Sequence, residues 1–246
     1  MAAMPHPAGR SCALALSSIL ALAACHDAPA PAGTPVLLVA PAEADAATER
    51  TLTAVAGYVE SLSGAAPTIV RLEEPGLDAI VDASARARAA VTLVLEAETL
   101  APERFDAARL AALGEDGFAL EATDEGTHRD VFGAVGTTVV LAAGTNRLTR
   151  QYAAYEALRR LGVRFYHPED EHVRRVPDEQ LRARALAPTA LHREGSDYLG
   201  DFYWRTWTFH APHPLEHLEA FSDGGFPIDE AVHVNDWIVK DHGNRF

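Results

Sequence analysis

Short apolar runs that alternate with helix-length stripes constrain this chain more than any other feature. Pro35-Val-Leu-Leu-Val-Ala40 is a continuous apolar run of strand length. From Ala46 the period changes. Leu52, Val55, Val59 and Leu62 form one helical stripe, and Gly64 stands where a left-handed cap belongs. Pro67–Leu72 reads as the next strand, so the opening is β-α-β. Asp78–Arg88 is a weaker helix and Ala90–Leu95 a β-branched strand. Pro102–Leu113 reads as a short helix ending at Gly114, and Gly117–Ala122 as a strand with one buried face. Thr123–Gly126 has turn chemistry, and Thr137–Ala142 is another strand. A helix follows, with Leu148, Tyr152, Tyr155, Leu158 and Leu161 on one face and Gly162 as its stop. Val163–Tyr166 is then a strand closed by His167-Pro168. The later strands do not alternate strictly with helices, and some lie close enough to pair antiparallel. The pattern predicts an α+β (α/β-like) fold, a mixed sheet with helices packed on it.

The 246 residues, 48% of them hydrophobic, are enough for one substantial core. There are 21 basic and 35 acidic residues, a net charge of −14. The first 24 residues hold only Arg10, which leaves the remainder at −15 (20 basic against 35 acidic). A chain so acidic has no global attraction for nucleic acid or an anionic membrane face. Lys240 is its single lysine.

Residues 1–24 have the layout of an export signal, with Arg10 ahead of the apolar stretch Cys12–Ala24, which is too short to span a bilayer. Leu22-Ala23-Ala24-Cys25 resembles the bacterial lipoprotein cleavage box. That resemblance implies that Cys25 is lipidated and becomes the mature N-terminus. The protein would then be held to the membrane by its acyl chains, facing the periplasm or on the outer-membrane cell surface. Residues 25–34, rich in Ala and Pro, read as a tether. With Cys12 removed and Cys25 acylated, the mature domain keeps no thiol for catalysis, disulfides or metal.

Three segments, in order, match one family pattern: Leu52–Gly64, Gly114-Glu-Asp-Gly-Phe118, and Gly144–Pro168. The third, Gly-Thr-Asn-Arg-Leu-Thr-Arg-Gln-Tyr-Ala-Ala-Tyr-Glu-Ala-Leu-Arg-Arg-Leu-Gly-Val-Arg-Phe-Tyr-His-Pro, is the most specific. Together they resemble the non-catalytic domain that precedes the barrel in family 20 and family 67 glycoside hydrolases, the β-hexosaminidases and α-glucuronidases. The resemblance covers roughly residues 35–180. It implies a hexosaminidase domain-2-like mixed sheet with helices mainly on one face, a glycan or oligosaccharide partner, and no cofactor. The expected organisation is a signal over 1–24, a tether over 25–34, the non-catalytic domain over 35–184, and over 185–246 a linker and the truncated start of a (β/α)8 barrel. A barrel needs about 200 residues or more, whereas 57 run from Ala190 to Phe246. No catalytic residue is therefore assigned, and the chain by itself is expected to be inactive.

Ten of the 18 aromatic residues follow Asp197, six of them within Tyr198–Phe209. That cluster reads as strand packing or as stacking on sugar rings, with Trp204 and Trp207 the candidate contacts. Arg193 could match a sugar-touching arginine of family 20, although Glu194 stands where the family has Gly. The chain then ends just past an amphipathic stretch around Trp237-Ile-Val-Lys240, with no later element to pack on it, and reads as cut short.

His210, His213 and His217, with His233 and His242, invite a metal reading, but Pro212 and Pro214 interrupt any shared helical face. They are assigned as loop or supporting histidines, with no metal site. Glu169-Asp-Glu171 and Glu216/Glu219 supply carboxylates without the separation glycoside hydrolysis requires. From Arg147 to Arg193 there are ten arginines against six acids. That excess could draw an acidic sugar or simply clothe a solvated helix face. Tyr152 and Tyr155 are assigned to packing first. Two functions follow: the accessory domain of an exported lipid-anchored glycoside hydrolase, or a surface lipoprotein that binds glycans without cleaving them.

Overall fold

β1 (Val36–Pro41) is buried from end to end, as a continuous apolar run requires. The computed structural model describes residues 33–123, 128–130, 133–135, 137–167, 170–186, 197–198 and 228–241. α1 (Ala46–Ser63) begins at Asp45, whose carboxylate accepts the Ala47 and Thr48 N–H groups at 2.8 and 2.9 Å. It ends at Gly64 with φ 78°, a left-handed cap whose N–H reaches the Glu60 carbonyl. Leu52, Val55, Val59 and Leu62 are all buried, each contributing roughly 1.5–3 kcal/mol.

β2 (Thr68–Leu72) pairs parallel with one side of β1, and β3 (Val91–Leu95), after α2 (Leu77–Ala87), pairs parallel with the other. α3 (Ala97–Leu100) and α4 (Ala107–Leu113) then lead to β4 (Phe118–Thr123). β5 (His128–Asp130) and β6 (Gly133–Val135) form a separate antiparallel pair. β7 (Thr138–Gly144) lies between β3, to which it is parallel, and β4, to which it is antiparallel. The order is β2-β1-β3-β7-β4, a mixed, mostly parallel five-stranded sheet whose β4 edge carries the two-residue β10 (Asp197–Tyr198). α5 (Arg147–Leu161) leads to the hairpin of β8 (Arg164–His167) and β9 (Asp170–His172). α6 (Asp178–Leu186) and α7 (Ile228–Lys240) complete the elements.

Helices cover both faces, which corrects the expectation that they lie mainly on one. Val36, Leu38 and Ala40 of β1 share a core with α1, α5, α6 and α7. Leu37 and Val39 share a second core with Ile80 and Ala83 of α2, Leu100 of α3, and Phe105 and Leu113 around α4. The cause is strand order. The β1-to-β2 and β2-to-β3 connections run in opposite directions across the sheet, so right-handed crossovers set α1 and α2 on opposite faces. β4 departs from expectation for the same reason. Phe118, Ala119 and Leu120 are all buried, with Phe118 and Leu120 in the first core and Ala119 in the second. The expected helix from Pro102 starts only at Ala107, because the Asp106 carboxylate caps the Arg109 N–H at 2.7 Å.

The turn from β7 into α5 is tight. A Cβ on Gly144 would lie 2.3 Å from the Arg150 backbone nitrogen. Asn146 caps α5 by accepting the Leu148 and Thr149 N–H groups, and Thr149 Oγ1 accepts the Asn146 N–H in return. Asn146→Ala should cost about 1 kcal/mol. That should appear as a lower urea midpoint with an unchanged slope, and an unshifted midpoint would show that the cap contributes nothing. Gly162, at φ 118°, closes the helix.

α7, which has no later element to pack on among the described residues, packs against elements earlier in the chain. Val234, Trp237 and Ile238 enter the first core, and Trp237 Nε1 donates to the Phe165 carbonyl at 3.3 Å. Among the described residues no helix is long and apolar enough to cross a membrane.

Candidate functional site

In an open parallel sheet, ligands favour the carboxyl ends of strands, where the order reverses. Here that point lies beyond β1 and β3. Glu96 directly follows β3 in the left-handed region, at φ 54°, a conformation costly for a residue with a Cβ. Its carboxylate is buried and accepts the Thr48 hydroxyl of α1, while Arg150 Nη1 of α5 stands 3.4 Å away. Two residues on, Glu98 accepts Arg150 Nε at 2.6 Å and the Gly144 N–H at 3.1 Å. One guanidinium thus lies between two carboxylates, joining the exit of β3 to α1, β7 and α5. Burial raises the Glu98 carboxyl above its ordinary range, although Arg150 and the Gly144 N–H pull it down. Beside this brace, Arg147 Nε meets Asp45 at 3.0 Å. The Thr48 N–H, helped by Arg147 and the Ala47 N–H, holds the Asp45 carboxyl at about 2 against its partial desolvation.

Chemically, this cluster is a brace. Glycoside hydrolysis needs one carboxyl free to deliver a proton and a second at a set distance across the sugar. Glu96 and Glu98 instead share Arg150, with further donors from Thr48 and Gly144. A carboxyl whose folded value is raised stabilises most at low pH and loses that contribution as pH rises through its folded value. The stability of the native protein relative to Glu98→Gln should therefore be greatest at acid pH and fall as pH rises above about 4.3. Urea midpoints of both proteins across that range test this, and a difference that grows with pH would contradict it.

A second buried cluster sits where α7 docks. Lys240 Nζ donates to Glu171 and Asp236, each at 2.8 Å, and to the Tyr58 hydroxyl. Tyr58 donates in turn to Glu171, and the Tyr155 hydroxyl to Asp236 at 3.3 Å. The ammonium also lies 4.9 Å from the Tyr58 ring centroid and 5.7 Å from that of Phe165. Both tyrosine hydroxyls are pushed above their usual range, chiefly by burial.

Sequence-derived candidates divide accordingly. Tyr152 and Tyr155 are buried packing residues, Tyr152 edge-on to Phe118. Glu171 belongs to the Lys240 cluster. Much of the arginine excess is held internally. Arg147 pairs with Asp45, Arg150 with Glu96 and Glu98, and Arg159 with Asp241, while Arg164 and Arg184 donate to backbone carbonyls. Cys25, Glu169, Arg193, Trp204, Trp207, His210, His213, His217, Glu216, Glu219 and His242 lie outside the described residues, as does the His233 side chain. The sequence pattern did not single out Glu96, Glu98, Tyr58 or Asp236. The available signals were two acids spaced i, i+2 directly after a strand, and one lysine ending an apolar stripe.

Fold and brace together define an α/β-like domain with a mostly parallel mixed sheet. No family model matches the chain, and no curated protein matches it.

Proposed function

We propose that this chain is the non-catalytic α/β domain, with the first elements of a barrel, of an exported, lipid-anchored glycoside hydrolase acting on complex glycans. The observation that carries the reading is how the Gly144–Pro168 segment is used. Gly144 admits the close approach of α5, Tyr152 and Tyr155 fill the core, and Gly162 supplies the left-handed stop. Its signature residues therefore serve architecture, as expected of an accessory domain that resembles those of families 20 and 67. The two buried carboxylates at the sheet's carboxyl edge are committed to Arg150. The chain should turn over neither a 4-methylumbelliferyl hexosaminide nor an aldobiouronic acid. Turnover by the purified chain that is lost on mutating its own carboxylates would overturn the reading.

A second reading, a surface lipoprotein that binds glycans without cleaving them, draws on α7. That helix packs into the first core and is tied to α1 and β9 by Lys240. Limited proteolysis separates the two. A tail that resists digestion favours the binding protein, and rapid trimming to about residue 185 favours the hydrolase domain.

A further inference from the structure

We infer that the groove between α1, α5 and α7 is a saccharide-binding site that takes a neutral sugar ring with adjacent hydroxyls. The inference rests on the glycan-binding reading and gives it a location. The groove encloses about 530 Å³, within the ordinary range for a small-ligand site. Each helix supplies part of it: Arg50 and Thr51 from α1, Gln151 and Tyr155 from α5, Asn235 and Asp236 from α7.

The chemistry of this lining selects the ligand. Asp236 is an acceptor fixed at both oxygens, by Lys240 Nζ on one and the Tyr155 hydroxyl on the other, yet its side chain remains 40% exposed. A carboxylate so held, with lone pairs to spare, suits a pair of neighbouring hydroxyl donors. Gln151 Nε2 donates to the Arg147 carbonyl at 3.3 Å, which leaves its amide oxygen without a partner among the described residues. Thr51 Oγ1 donates to the Ala47 carbonyl and can still accept. The Arg50 guanidinium lines the groove with no partner among the described residues. Val232, 59% exposed, adds an apolar edge for the C–H face of a ring. Donors, acceptors and an aliphatic surface thus converge on one groove.

Other ligand classes fit less well. Asp236 opposes a phosphate or carboxylate, and Arg50 and Asp236 leave the groove near neutral. The N-termini of α1 and α5, the usual anion sites, are capped by Asp45 and Asn146. The buried Lys240 cluster behind the groove also gains a purpose. A buried ion cluster contributes little net stability compared with apolar packing, but it fixes the orientation of the side chains it holds.

The test is calorimetric titration of the full-length protein, in a detergent without a sugar head group, with N-acetylglucosamine, chitobiose and xylobiose at millimolar concentrations. At least one should bind. Arg50→Ala, Gln151→Ala and Asn235→Ala should each weaken it by about tenfold, while Glu43→Ala, at a separate cleft beyond β1 and β2, should not. Binding unchanged in all three groove variants would overturn the groove assignment and leave the glycan-binding reading standing. No binding of any of the three sugars by the native protein would overturn both.

Discussion

Replacing Lys240 with methionine should destabilise the protein by about 3–5 kcal/mol, with the loss concentrated in the docking of α7. The lysine side chain is only 5% exposed, and all three of its N–H groups are used, by Glu171, Asp236 and Tyr58. Methionine fills the space but leaves the Glu171 carboxylate, 18% exposed, with the Tyr58 hydroxyl as donor and without its cation. Lys240→Met combined with Glu171→Gln should recover part of the loss, because the stranded charge is then gone. Burial alone would lower the lysine's pKa, but its hydrogen bonds to Asp236 and Glu171 outweigh burial and raise it. The folded protein therefore holds that proton more tightly than the unfolded chain. The contribution is complete below the unfolded lysine value of about 10.4 and is lost as pH rises through the higher folded value. Because Lys240 is the single lysine, amine labelling located by peptide mapping reports its exposure apart from that of the N-terminal amine. Labelling should be slow in the native protein at neutral pH and quicken at alkaline pH as α7 releases. A loss below about 1 kcal/mol in Lys240→Met would mark the pair as solvent-screened and contradict this account.

Arg150→Met should cost about 3 kcal/mol by leaving Glu96 and Glu98 beside each other without their shared cation. Arg150 is 31% exposed while the glutamates are 9% and 8%, so the deficit falls on the carboxylates. Like charges that close, out of water, favour protonation of one. The penalty should therefore be largest at neutral pH and shrink as pH falls through the carboxylate range. Adding Glu96→Gln and Glu98→Gln should restore most of the stability at pH 7, since no buried charge then lacks a partner. If the triple variant is as unstable as Arg150→Met, packing by the arginine stem is responsible and the electrostatic brace is wrong.

The sequence was most informative where structure is set locally. The stripe Leu52, Val55, Val59 and Leu62 is buried as its period requires, and Gly64 and Gly162 occupy the left-handed stops that end their helices. Strand positions followed from β-branched runs bounded by turns. What depends on distant pairing was hidden. Strand order decides that α2, α3 and α4 cover a second face, and nothing within those helices reveals the order. The brace joins residues 48, 96, 98, 144 and 150, whose meeting is fixed by parallel pairing of β3 with β7. Lys240 meets Tyr58 across 182 positions of sequence. Each partner alone resembles an ordinary surface residue, so the clusters become legible only once the sheet is assembled.

We propose that this domain belongs to a lipid-anchored glycoside hydrolase whose chemistry lies outside the domain. An antibody raised to residues 35–180 can test it on membrane fractions of the source cells. The expected result is a membrane-bound band far heavier than these 246 residues, carrying the barrel with its catalytic carboxylates. A membrane band at the mass of the 246 residues alone would contradict the claim and leave the glycan-binding lipoprotein as the function to pursue.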